Sequence, residues 1–594
     1  MDHWVALLLT PLAFWVAFSG LDDFVIDVAA AFAWLRILWS RHDDSPSDAE
    51  LAAVPPLHMA VFVAAWKEHR VIQNMLDNNL ARLNYPRVDF FVGVYPNDAL
   101  TVSAVREAMK RHPNVHLSLC PHDGPTSKAD CLNWIYQRMI LHEEECGVRF
   151  DMVLTHDAED IIDPDALTWI NYYAQWNDMI QIPVLALPTA LRELSHGVYC
   201  DEFCEYQHKD MMARSLMGGF IPSSGVGTGF SRRALERLAA ANANRIFEPG
   251  CLTEDYENGF RVANLGLRQK FIPIHVRHGR AIATRGYFPR AFAAAVRQRT
   301  RWVTGIALQS WEFHSFSETM RNLYWFWRDR KGLAGNLVGP LANVLFLYGL
   351  FTLTWAVSTS HVWRLGHDAA WLAPLAAVGL ALQLLHTCIR IVCCARIYGW
   401  RYAAGVPVRV ITANWMNCFA TCLAIFNYAS ARAQGLPLRW MKTDHVYPSR
   451  AALLDDRKQL GEILVGGQWI TSKQLDTALA LRPPERRLGE QLVALGFVTE
   501  NDLYTALALQ NHVPIGKPAP SSVSLPVTRA FPAALAKRWR VLPFRIAAGD
   551  LYIAGSEIPG DEMTKAIRRF SSLEIRFQLV TPTDYEELAA LYLT

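Results

Sequence analysis

Long apolar runs separate membrane-like stretches of this chain from globular ones. Residues 4–20 carry no charge and are just long enough to cross a bilayer. We expect them to form an uncleaved membrane anchor, because no basic segment precedes them as one would in a signal peptide. Residues 24–40 are also apolar but include Asp27 and Arg36, which favours an interfacial helix.

Three more apolar stretches lie beyond the middle of the chain. The runs at 336–357 and 370–395 predict two membrane spans, whereas 404–430 contains Arg409 and several asparagines. Basic residues flank 41–330, which indicates that this segment is cytoplasmic. A cytoplasmic C-terminal region then requires an even number of later spans, so we expect 404–430 to be interfacial or re-entrant. The alternative is a soluble protein in which these runs are buried core helices.

The stretch between the apolar regions has the pattern of an α/β domain. The near-continuous apolar run at 57–66 predicts a buried parallel strand, followed by a helix at 68–83 and a second strand at 88–95. A third strand is expected at 152–156. Strand–helix–strand units bind ligands at the carboxyl ends of their strands. The predicted regions are an anchor at 1–40, an α/β domain at 50–310, membrane helices at 330–435 and a second soluble domain at 450–594.

The composition narrows the class of protein. The chain is 51% hydrophobic and only 19% charged, below the roughly 25% that is usual for soluble domains. The 58 basic and 56 acidic residues give a net charge of +2, so no basic surface points to a nucleic-acid polymer as partner. The 11 cysteines lack paired zinc-finger spacing and predict reduced thiols.

Acidic residues follow each of the three predicted strands. Glu68 and Asp98 fall just beyond the first two, and Asp157 and Glu159 follow the third. Two acids spaced in this way can share one hard divalent cation, which would offset the charge of a diphosphate. Taken singly, such acids are more often ordinary loop residues.

Three further motifs have functional and structural interpretations. The glycine-rich turn at 223–230 would let the backbone approach a bulky ligand. In the sequence LTED, Glu254 or Asp255 could accept a proton from an attacking hydroxyl. In RQRTRW (297–302), a guanidinium suits a pyrophosphate and an indole suits a sugar ring. Each motif, taken alone, is more often structural than functional.

Taken together and in order, these motifs resemble the family 2 glycosyltransferases with a GT-A fold, most closely the membrane-embedded cellulose, chitin and hyaluronan synthases. The matching segments are AAWKE (64–68), Asp98, KAD (128–130), DAED (157–160), GTGF (227–230), TED (253–255) and Q-x-x-R-W (298–302). The resemblance implies a Rossmann-like GT-A catalytic domain. It also implies inverting, metal-dependent transfer from a UDP-sugar to a glycan or lipid acceptor.

The resemblance further implies a role for each matching residue. The residues at the uridine-binding positions, with a lysine nearby, are Glu68, Asp98, Asp130 and Lys128. Those that match the pair carrying Mg²⁺ or Mn²⁺ on the diphosphate are Asp157 and Glu159. Asp255 matches the general base and adjoins Glu254. The motif that binds the diphosphate and the acceptor end of the glycan is matched by Gln298, Arg301 and Trp302.

The sequence departs from the family pattern in three respects. The usual V-P-A-[YW]-N-E has Ala64 in place of proline and Lys67 in place of asparagine. The second acid of the metal pair is Glu159 rather than aspartate. Few predicted spans follow the domain, which puts processive translocation in doubt more than sugar transfer.

The C-terminal region contains an internal repeat. Residues 459–482 and 487–510 align without a gap at an offset of 28, and each copy predicts two short helices joined by a turn. The second copy resembles the MshEN domain, an α+β receptor for cyclic di-GMP. The residues that the resemblance assigns to the nucleotide site are Leu460, Gly461, Leu464, Leu475, Leu479, Arg487, Leu488, Gly489, Leu492, Gly496, Leu503, Leu507 and Gln510.

The first copy of the repeat departs from the MshEN pattern. Gln459, Gln468 and Arg482 stand where the family has arginine, glycine and glutamine. Because family sites use both motifs, nucleotide binding could be weakened, half-sited or lost. MshEN domains are also found at the front of type II secretion ATPases. The phosphate-binding G-x-x-x-x-G-K-[ST] motif that such an ATPase requires does not occur in the sequence, which argues against that class of protein.

The domain order as a whole is similar to bacterial inner-membrane proteins of the phage-adsorption type. It implies a multi-pass protein of the cytoplasmic membrane, with its catalytic and C-terminal domains in the cytoplasm. Cyclic di-GMP would control the synthesis of a surface or secreted polysaccharide, and an outer-membrane export or receptor protein would be a further partner. The alternatives are a non-processive lipid glycosyltransferase and a catalytically idle envelope scaffold.

Overall fold

The computed structural model describes most of the chain as two compact units. The described residues are 2–39, 45–277, 280–314, 320–436, 438, 460–466, 469–483, 485–511 and 513–593. The first unit comprises 1–66, 85–97 and 118–446. The second comprises 67–84, 98–117 and 447–594, so it combines two segments of the predicted α/β domain with the C-terminal region.

A mixed seven-stranded sheet with the strand order β3-β2-β1-β4-β7-β5-β8 organises the α/β domain. β1 is parallel to β2 and to β4, whereas β7 is antiparallel to β4 and β5. The strands are β1 (Met59–Ala64), β2 (Val88–Val94), β3 (Val115–Leu119), β4 (Met152–His156), β5 (Met179–Gln181), β6 (Val184–Ala186), β7 (Thr228–Ser231), β8 (Gln269–Phe271), β9 (Val276–Arg277), β10 (Arg280–Ala281) and β11 (Thr284–Gly286). β6 pairs with β11, and β9 with β10.

The apolar runs become strands because both faces of the sheet are covered. Met59 to Val63 are all fully buried, and the aromatic rings of Phe62, Phe91 and Phe150 form part of the core. The three strands expected from sequence are confirmed, and the helix expected at 68–83 is observed at Ile72–Arg82. The Rossmann-like fold class is thereby confirmed.

The first 330 residues also form helices, several of which pack on this sheet. They are α1 (Asp2–Trp39), α2 (Asp48–Ala53), α3 (Ile72–Arg82), α4 (Ala99–Arg111), α5 (Lys128–Cys146), α6 (Ala166–Ala174), α7 (Leu194–Glu205), α8 (Met211–Leu216), α9 (Arg232–Ala240), α10 (Glu254–Asn264), α11 (Phe292–Trp302), α12 (Ser310–His314) and α13 (Met320–Arg330). π-helical turns join α7 to α8 at Tyr206–Asp210 and α11 to α12 at Val303–Gln309.

Three helices in the described part of the chain are long and apolar enough to cross a membrane: Asn322–Ser358, Ala370–Tyr398 and Val406–Ala433. The individual elements here are α14 (Gly332–Ser358), α15 (Arg364–Asp368), α16 (Ala373–Tyr398), α17 (Trp400–Ala403) and α18 (Val406–Ala433). The two spans predicted from sequence therefore correspond to continuous apolar helices.

The stretch 404–430, expected to be interfacial or re-entrant, forms α18, one continuous helix of 28 residues that is long and apolar enough to cross a membrane. Its polar residues face neighbouring helices. Arg409 Nε donates to Asp201 Oδ2 at 2.7 Å, and both side chains are buried. Asn414 donates to Asn343, and Asn417 accepts from Arg299. These polar residues thus bind helix to helix and do not mark a break in the span.

The first 40 residues also differ from expectation, because α1 is a single helix of 38 residues where an anchor and a separate interfacial helix were predicted. Its acidic residues are paired within the unit. Asp27 Oδ1 lies 2.7 Å from Lys209 Nζ, and Lys331 Nζ lies 2.7 Å from both Asp22 Oδ2 and Asp23 Oδ1. Paired charges of this kind allow acids to remain in an otherwise apolar helix.

The C-terminal region contains two helical hairpins followed by a small α/β sheet. The helices are α19 (Leu460–Gly466), α20 (Ser472–Ala480), α21 (Leu488–Ala494), α22 (Glu500–Asn511), α23 (Leu525–Arg529), α24 (Ala533–Arg538), α25 (Asp561–Arg568) and α26 (Pro582–Tyr592). The strands are β12 (Val541–Ala547), β13 (Asp550–Gly555) and β14 (Glu574–Leu579). β13 pairs antiparallel with β12 and parallel with β14. The helix–turn–helix form expected for each repeat copy is confirmed.

Candidate active site

A lysine–aspartate pair links the start of α5 to the end of β4. Ser127 caps α5 by accepting from the Asp130 backbone N–H, which fixes Lys128 in the first turn. The Lys128 ammonium forms an ion pair with Asp157 Oδ1. Burial alone would lower the pKa of Lys128, but the carboxylates of Asp157 and Glu254 raise it above its ordinary value. Lys128 is therefore a fixed positive charge between two acidic motifs.

Asp130, predicted to bind uridine, is held by two neighbours. Thr126 Oγ1 donates to its Oδ2 at 2.8 Å, and His122 Nε2 lies 3.2 Å from the same oxygen. These contacts orient the carboxylate at the amino end of α5.

The DAED turn at the end of β4 divides its acids between two roles. Asp160 Oδ2 accepts from the Asp157 backbone N–H and lies 2.9 Å from Nδ1 of the fully buried His156, so Asp160 has a structural role. Glu159 is 8% exposed. The other two acids of the turn, Asp157 and Glu159, are the predicted metal ligands. Carboxylate oxygens of this kind fit a hard divalent cation.

The TED motif forms the start of α10, where the buried Glu254 and the half-buried Asp255 adjoin a glycine turn. Burial and the adjacent Asp255 raise the pKa of Glu254 to about 7, while Lys128 opposes the shift. Burial also raises the pKa of Asp255, although Lys128 and Arg301 oppose it. Gly225 has a φ of +76°, and a Cβ there would lie 2.5 Å from Asp255 Oδ2. Only glycine lets this turn approach the carboxylate so closely.

The Q-x-x-R-W motif lies on α11, which packs along α18. Gln298 Oε1 and Arg301 Nε are buried and have no hydrogen-bond partner among the described residues. Burying polar atoms without partners is costly, so such atoms are typical of sites that bind a polar ligand. Arg301 is also close enough to Glu254 and Asp255 to oppose the rise in their pKa values.

Trp302 differs from its two motif neighbours. Its half-buried indole packs against Tyr199, Phe203 and Phe288, with ring centroids 5.9, 6.3 and 6.5 Å away. Much of its apolar surface is thus already used within the protein. Arg301 lies near Glu254 and Asp255, while Trp302 forms part of an aromatic cluster.

Two glycines contact the TED motif. Gly225 belongs to the glycine-rich turn noted in the sequence, whereas Gly305 was not predicted to have any role. A Cβ at Gly305 would lie 2.3 Å from Thr253 Oγ1, so the π-helical turn after α11 contacts the TED motif directly. Gly225 contacts Asp255 in the same way. Only the spacing of Gly305 three residues after Trp302 could have signalled this contact, and a lone glycine carries little information.

Glu68 and Asp98 lie in the second unit, at the starts of α3 and α4. Asp98 caps α4, its Oδ1 accepting from the Thr101 backbone N–H at 3.4 Å, and its Oδ2 accepts from the Lys67 backbone N–H at 2.5 Å. The Glu68 backbone N–H donates to Thr101 Oγ1 at 3.1 Å. Lys67 has a φ of +56°, a conformation that suits the family's asparagine better than lysine.

The repeated L-G-E residues of the C-terminal region have structural explanations. A Cβ at Gly461 would lie 2.8 Å from Leu475 Cδ1, and one at Gly489 would lie 2.6 Å from Leu503 Cδ1. Each glycine therefore allows its two helices to pack closely. Glu490 Oε2 accepts from the Arg487 backbone N–H at 3.3 Å and caps α21.

The residues assigned to the nucleotide site differ in burial. The five buried in the helical core are Gly461, Leu464, Gly489, Leu492 and Leu503. The half-buried ones are Leu460, Leu475, Leu488, Leu507 and Gln510. The exposed ones are Leu479, Arg487 and Gly496. Arg482 is also exposed, while Gln459 and Gln468 lie outside the described residues. Among the residues assigned to the nucleotide site, the polar side chains that a nucleotide could reach are therefore Arg487 and, in part, Gln510.

Two family models match the chain. The one described as "Glycosyltransferase like family 2" covers residues 55–305, and the MshEN domain covers 511–592, so the repeat at 459–510 precedes the matched MshEN range. The bacteriophage adsorption protein B of Escherichia coli strain K12 is 34% identical over 600 residues, covering 97% of this chain and 80% of that relative. The bacteriophage N4 adsorption protein B of Escherichia coli O157:H7 matches equally well.

The chain belongs to the bacteriophage adsorption protein B family. It combines a family 2 glycosyltransferase domain with a C-terminal MshEN domain, as the sequence predicted, and is an enzyme of the glycosyltransferase class.

Two solved structures are similar to parts of this chain. The mannosyltransferase of Pyrobaculum calidifontis in complex with GDP-mannose and Mn²⁺ is 18% identical, has a TM-score of 0.40, and covers 69% of this chain and 99% of its own. A structure of MshE with cdg is 28% identical, has a TM-score of 0.22, and covers 23% of this chain and 99% of its own.

Proposed function

We propose that this protein is an inverting, metal-dependent glycosyltransferase of the bacterial inner membrane. It transfers sugar from a UDP-sugar to a growing surface or secreted glycan, and cyclic di-GMP bound to the C-terminal domain controls the transfer. The proposed domains are an anchor at 1–40, the transferase at 50–310, membrane helices at 330–435 and the regulatory domain at 450–594, with both soluble domains in the cytoplasm.

Two buried polar groups support this proposal most strongly. Gln298 Oε1 and Arg301 Nε lack partners among the described residues, and Arg301 lies near the half-buried Asp255. A diphosphate would supply acceptors to the guanidinium and offset the cost of its burial. An acceptor hydroxyl placed beside it would lie near a base.

Asp255 is the proposed general base. It takes the proton from the acceptor hydroxyl as that oxygen forms a bond to the anomeric carbon, and the bond from this carbon to the UDP oxygen breaks with its electron pair on UDP. One such displacement inverts the anomeric centre. The raised pKa of Asp255 makes it a stronger base than an exposed aspartate, and its ionised form is the active one.

The proposed metal ion is Mg²⁺ or Mn²⁺. Asp157 and Glu159 would hold it, since Asp160 is already engaged with His156 and with the turn backbone. When bound, the ion would offset the negative charge of the diphosphate. Lys128, which binds Asp157 Oδ1, would add a second positive charge at the same turn.

Cyclic di-GMP is the proposed regulator. The exposed Arg487 presents a guanidinium suited to phosphate or guanine, and the adjacent Leu488 is half-buried, as is Gln510. Because the first motif copy has lost its family arginine, we expect one motif to supply most of the affinity.

A second candidate is a catalytically idle envelope component. It is favoured by the relatives from Escherichia coli, which are named as bacteriophage adsorption proteins. The presence of Asp157, Asp255 and Arg301, with raised pKa values at Glu254 and Asp255, favours the enzyme over this alternative.

UDP release by the purified full-length protein tests the proposal. A panel of UDP-sugars would be offered with Mg²⁺ or Mn²⁺, with a chelator as the control. We expect release with at least one sugar, loss of release with the chelator, and a β-linked product from an α-linked donor. Release unaffected by the chelator would contradict metal dependence, and a retained anomeric configuration would contradict the single displacement.

A further inference from the structure

A row of three side chains crosses the C-terminal sheet and faces the helices α3 and α4 within the second unit. In the strand register, Tyr552 of β13 lies opposite Arg545 of β12 on one side and Arg576 of β14 on the other. Residues directly opposite one another project from the same face of a sheet. The three side chains therefore form one continuous surface, here called the Arg–Tyr–Arg row.

Tyr552 is the centre of this contact. It is 3% exposed, and its hydroxyl accepts from Nε2 of the fully buried Gln73 of α3 at 2.6 Å. The guanidinium of Arg111 of α4 lies 5.8 Å from the centroid of the tyrosine ring. One side chain of the regulatory region thus touches both helices.

The two arginines extend the contact to either side. Arg545 forms an ion pair with Glu107 of α4, and their side chains are 17% and 6% exposed. Arg576 donates to Asn74 Oδ1 of α3. Arg111 and His112 bind Asp77 at 2.9 and 2.8 Å and so fasten α4 to α3. The helices are therefore held to each other as well as to the sheet.

The other end of α4 carries the predicted uridine-binding acids. Asp98 caps the helix, and the Glu68 backbone is bound to Thr101 in its first turn. Glu107 lies nine positions after Asp98, which corresponds to about 14 Å along a helix axis. A displacement of the Arg–Tyr–Arg row would therefore reach Asp98 through one rigid element.

We propose that the contact of the Arg–Tyr–Arg row with α3 and α4 is the coupling element through which cyclic di-GMP changes the affinity of the transferase for UDP. This inference rests on the proposed function, since it needs both ligands to bind. The contact is largely polar, as are the interfaces between parts of a chain that move relative to one another. The row would thus hold Glu68 and Asp98 differently with and without the dinucleotide.

UDP binding by the full-length protein in detergent with Mn²⁺ tests this coupling without an acceptor. The dissociation constant for UDP would be measured by calorimetry at zero and at saturating cyclic di-GMP. For the natural sequence we expect a change of about five-fold or more, the lower end of typical allosteric coupling. In Arg545→Gln and in Tyr552→Phe, we expect both ligands to bind while the change falls below about two-fold.

Two controls separate coupling from unfolding. Arg568→Gln breaks an exposed ion pair with Glu574 in the same domain and should keep the full change. The double variant Glu107→Gln with Arg545→Gln should lose no more coupling than Arg545→Gln alone, because both act through one pair.

The outcomes distinguish the inference from the proposed function. If the natural protein binds both ligands with no change in UDP affinity, or if Arg545→Gln and Tyr552→Phe keep the full change, the coupling role is overturned. If the natural protein does not bind UDP at all, the proposed function itself fails, and the inference fails with it.

Discussion

The transferase site and the C-terminal repeat both carry conspicuous sequence motifs, but their residues have different surroundings. At the transferase site, Gln298 and Arg301 bury polar atoms without partners among the described residues, and Glu254 has a pKa raised to about 7. In the repeat, Gly489 packs against Leu503 and Glu490 caps its own helix. The first set buries polar atoms without partners among the described residues, and the second set makes packing and capping contacts.

This difference separates two kinds of evidence for function. Buried polar groups without partners are costly, and a folded chain retains them where a ligand or a reaction requires them. A repeated motif with satisfied contacts can be explained by packing alone. The transferase assignment therefore rests on chemistry, whereas nucleotide binding by the repeat rests on the few exposed residues, above all Arg487.

Replacing the proposed base should have the largest effect. In Asp255→Asn we expect UDP release to fall by about 10²- to 10⁴-fold, because the acceptor proton has no base to receive it. Glu145→Gln is a matched control that breaks a surface ion pair with Arg138 and should leave the rate unchanged. Full activity in Asp255→Asn would contradict the role of Asp255 as the base, and with it the chemical evidence that sets the transferase site apart from the repeat.

Removing the half-buried Arg301 guanidinium should have the next largest effect. In Arg301→Ala we expect UDP to bind about 30-fold more weakly or worse, since one partner of a buried charged contact is lost. Arg301→Lys should recover only part of the affinity, because an ammonium cannot bind a diphosphate bidentately. Unchanged UDP affinity in Arg301→Ala would show that this arginine does not hold the diphosphate.

A pair of variants in the repeat separates packing from binding. In Gly489→Ala the new Cβ meets Leu503, so we expect the C-terminal domain to lose about 1–3 kcal/mol of stability, measured by hydrogen exchange across α21 and α22. Arg487→Ala should change stability by less than about 0.5 kcal/mol and yet weaken cyclic di-GMP binding. Equal dinucleotide affinity in Arg487→Ala and the natural protein would contradict the nucleotide-site assignment.

The pH dependence of stability should show the smallest effect. The pKa of Glu254 rises from an ordinary value of 4.5 to about 7 in the fold, so its stabilising contribution is complete below pH 4.5 and lost as the pH rises through 7. We expect Glu254→Gln to be more stable than the natural protein at pH 8, by about 2 kcal/mol, and to show little gain at pH 4.5. Thermal unfolding of both proteins at the two pH values provides the measurement, and an equal gain at both would contradict the raised pKa.

Much of the fold followed from local patterns. The apolar strands at 59–64 and 152–156 were predictable because burial on both faces leaves few polar residues in them. The repeat was predictable because two aligned copies fold alike. The polar residues at 404–430 argued against a span, but Arg409 pairs with Asp201, which lies 208 positions earlier in the chain. No local pattern reveals a partner so distant in sequence.

The same limit applies to the sites. The order of motifs indicated Asp157, Asp255 and Arg301, but the closeness of Arg301 to the acids depends on tertiary packing. The contact of Gly305 with Thr253 and the Arg–Tyr–Arg row depend on packing in the same way, and neither has a sequence signature. The positive φ of Lys67 likewise became evident only in the folded backbone.

The most direct test of the central claim is UDP release by one preparation of the full-length protein, with and without cyclic di-GMP, beside Asp255→Asn. We predict that release depends on a UDP-sugar and a divalent cation, changes with the dinucleotide, and is lost in the variant. Equal release from the natural protein and Asp255→Asn, whatever the dinucleotide concentration, would contradict it.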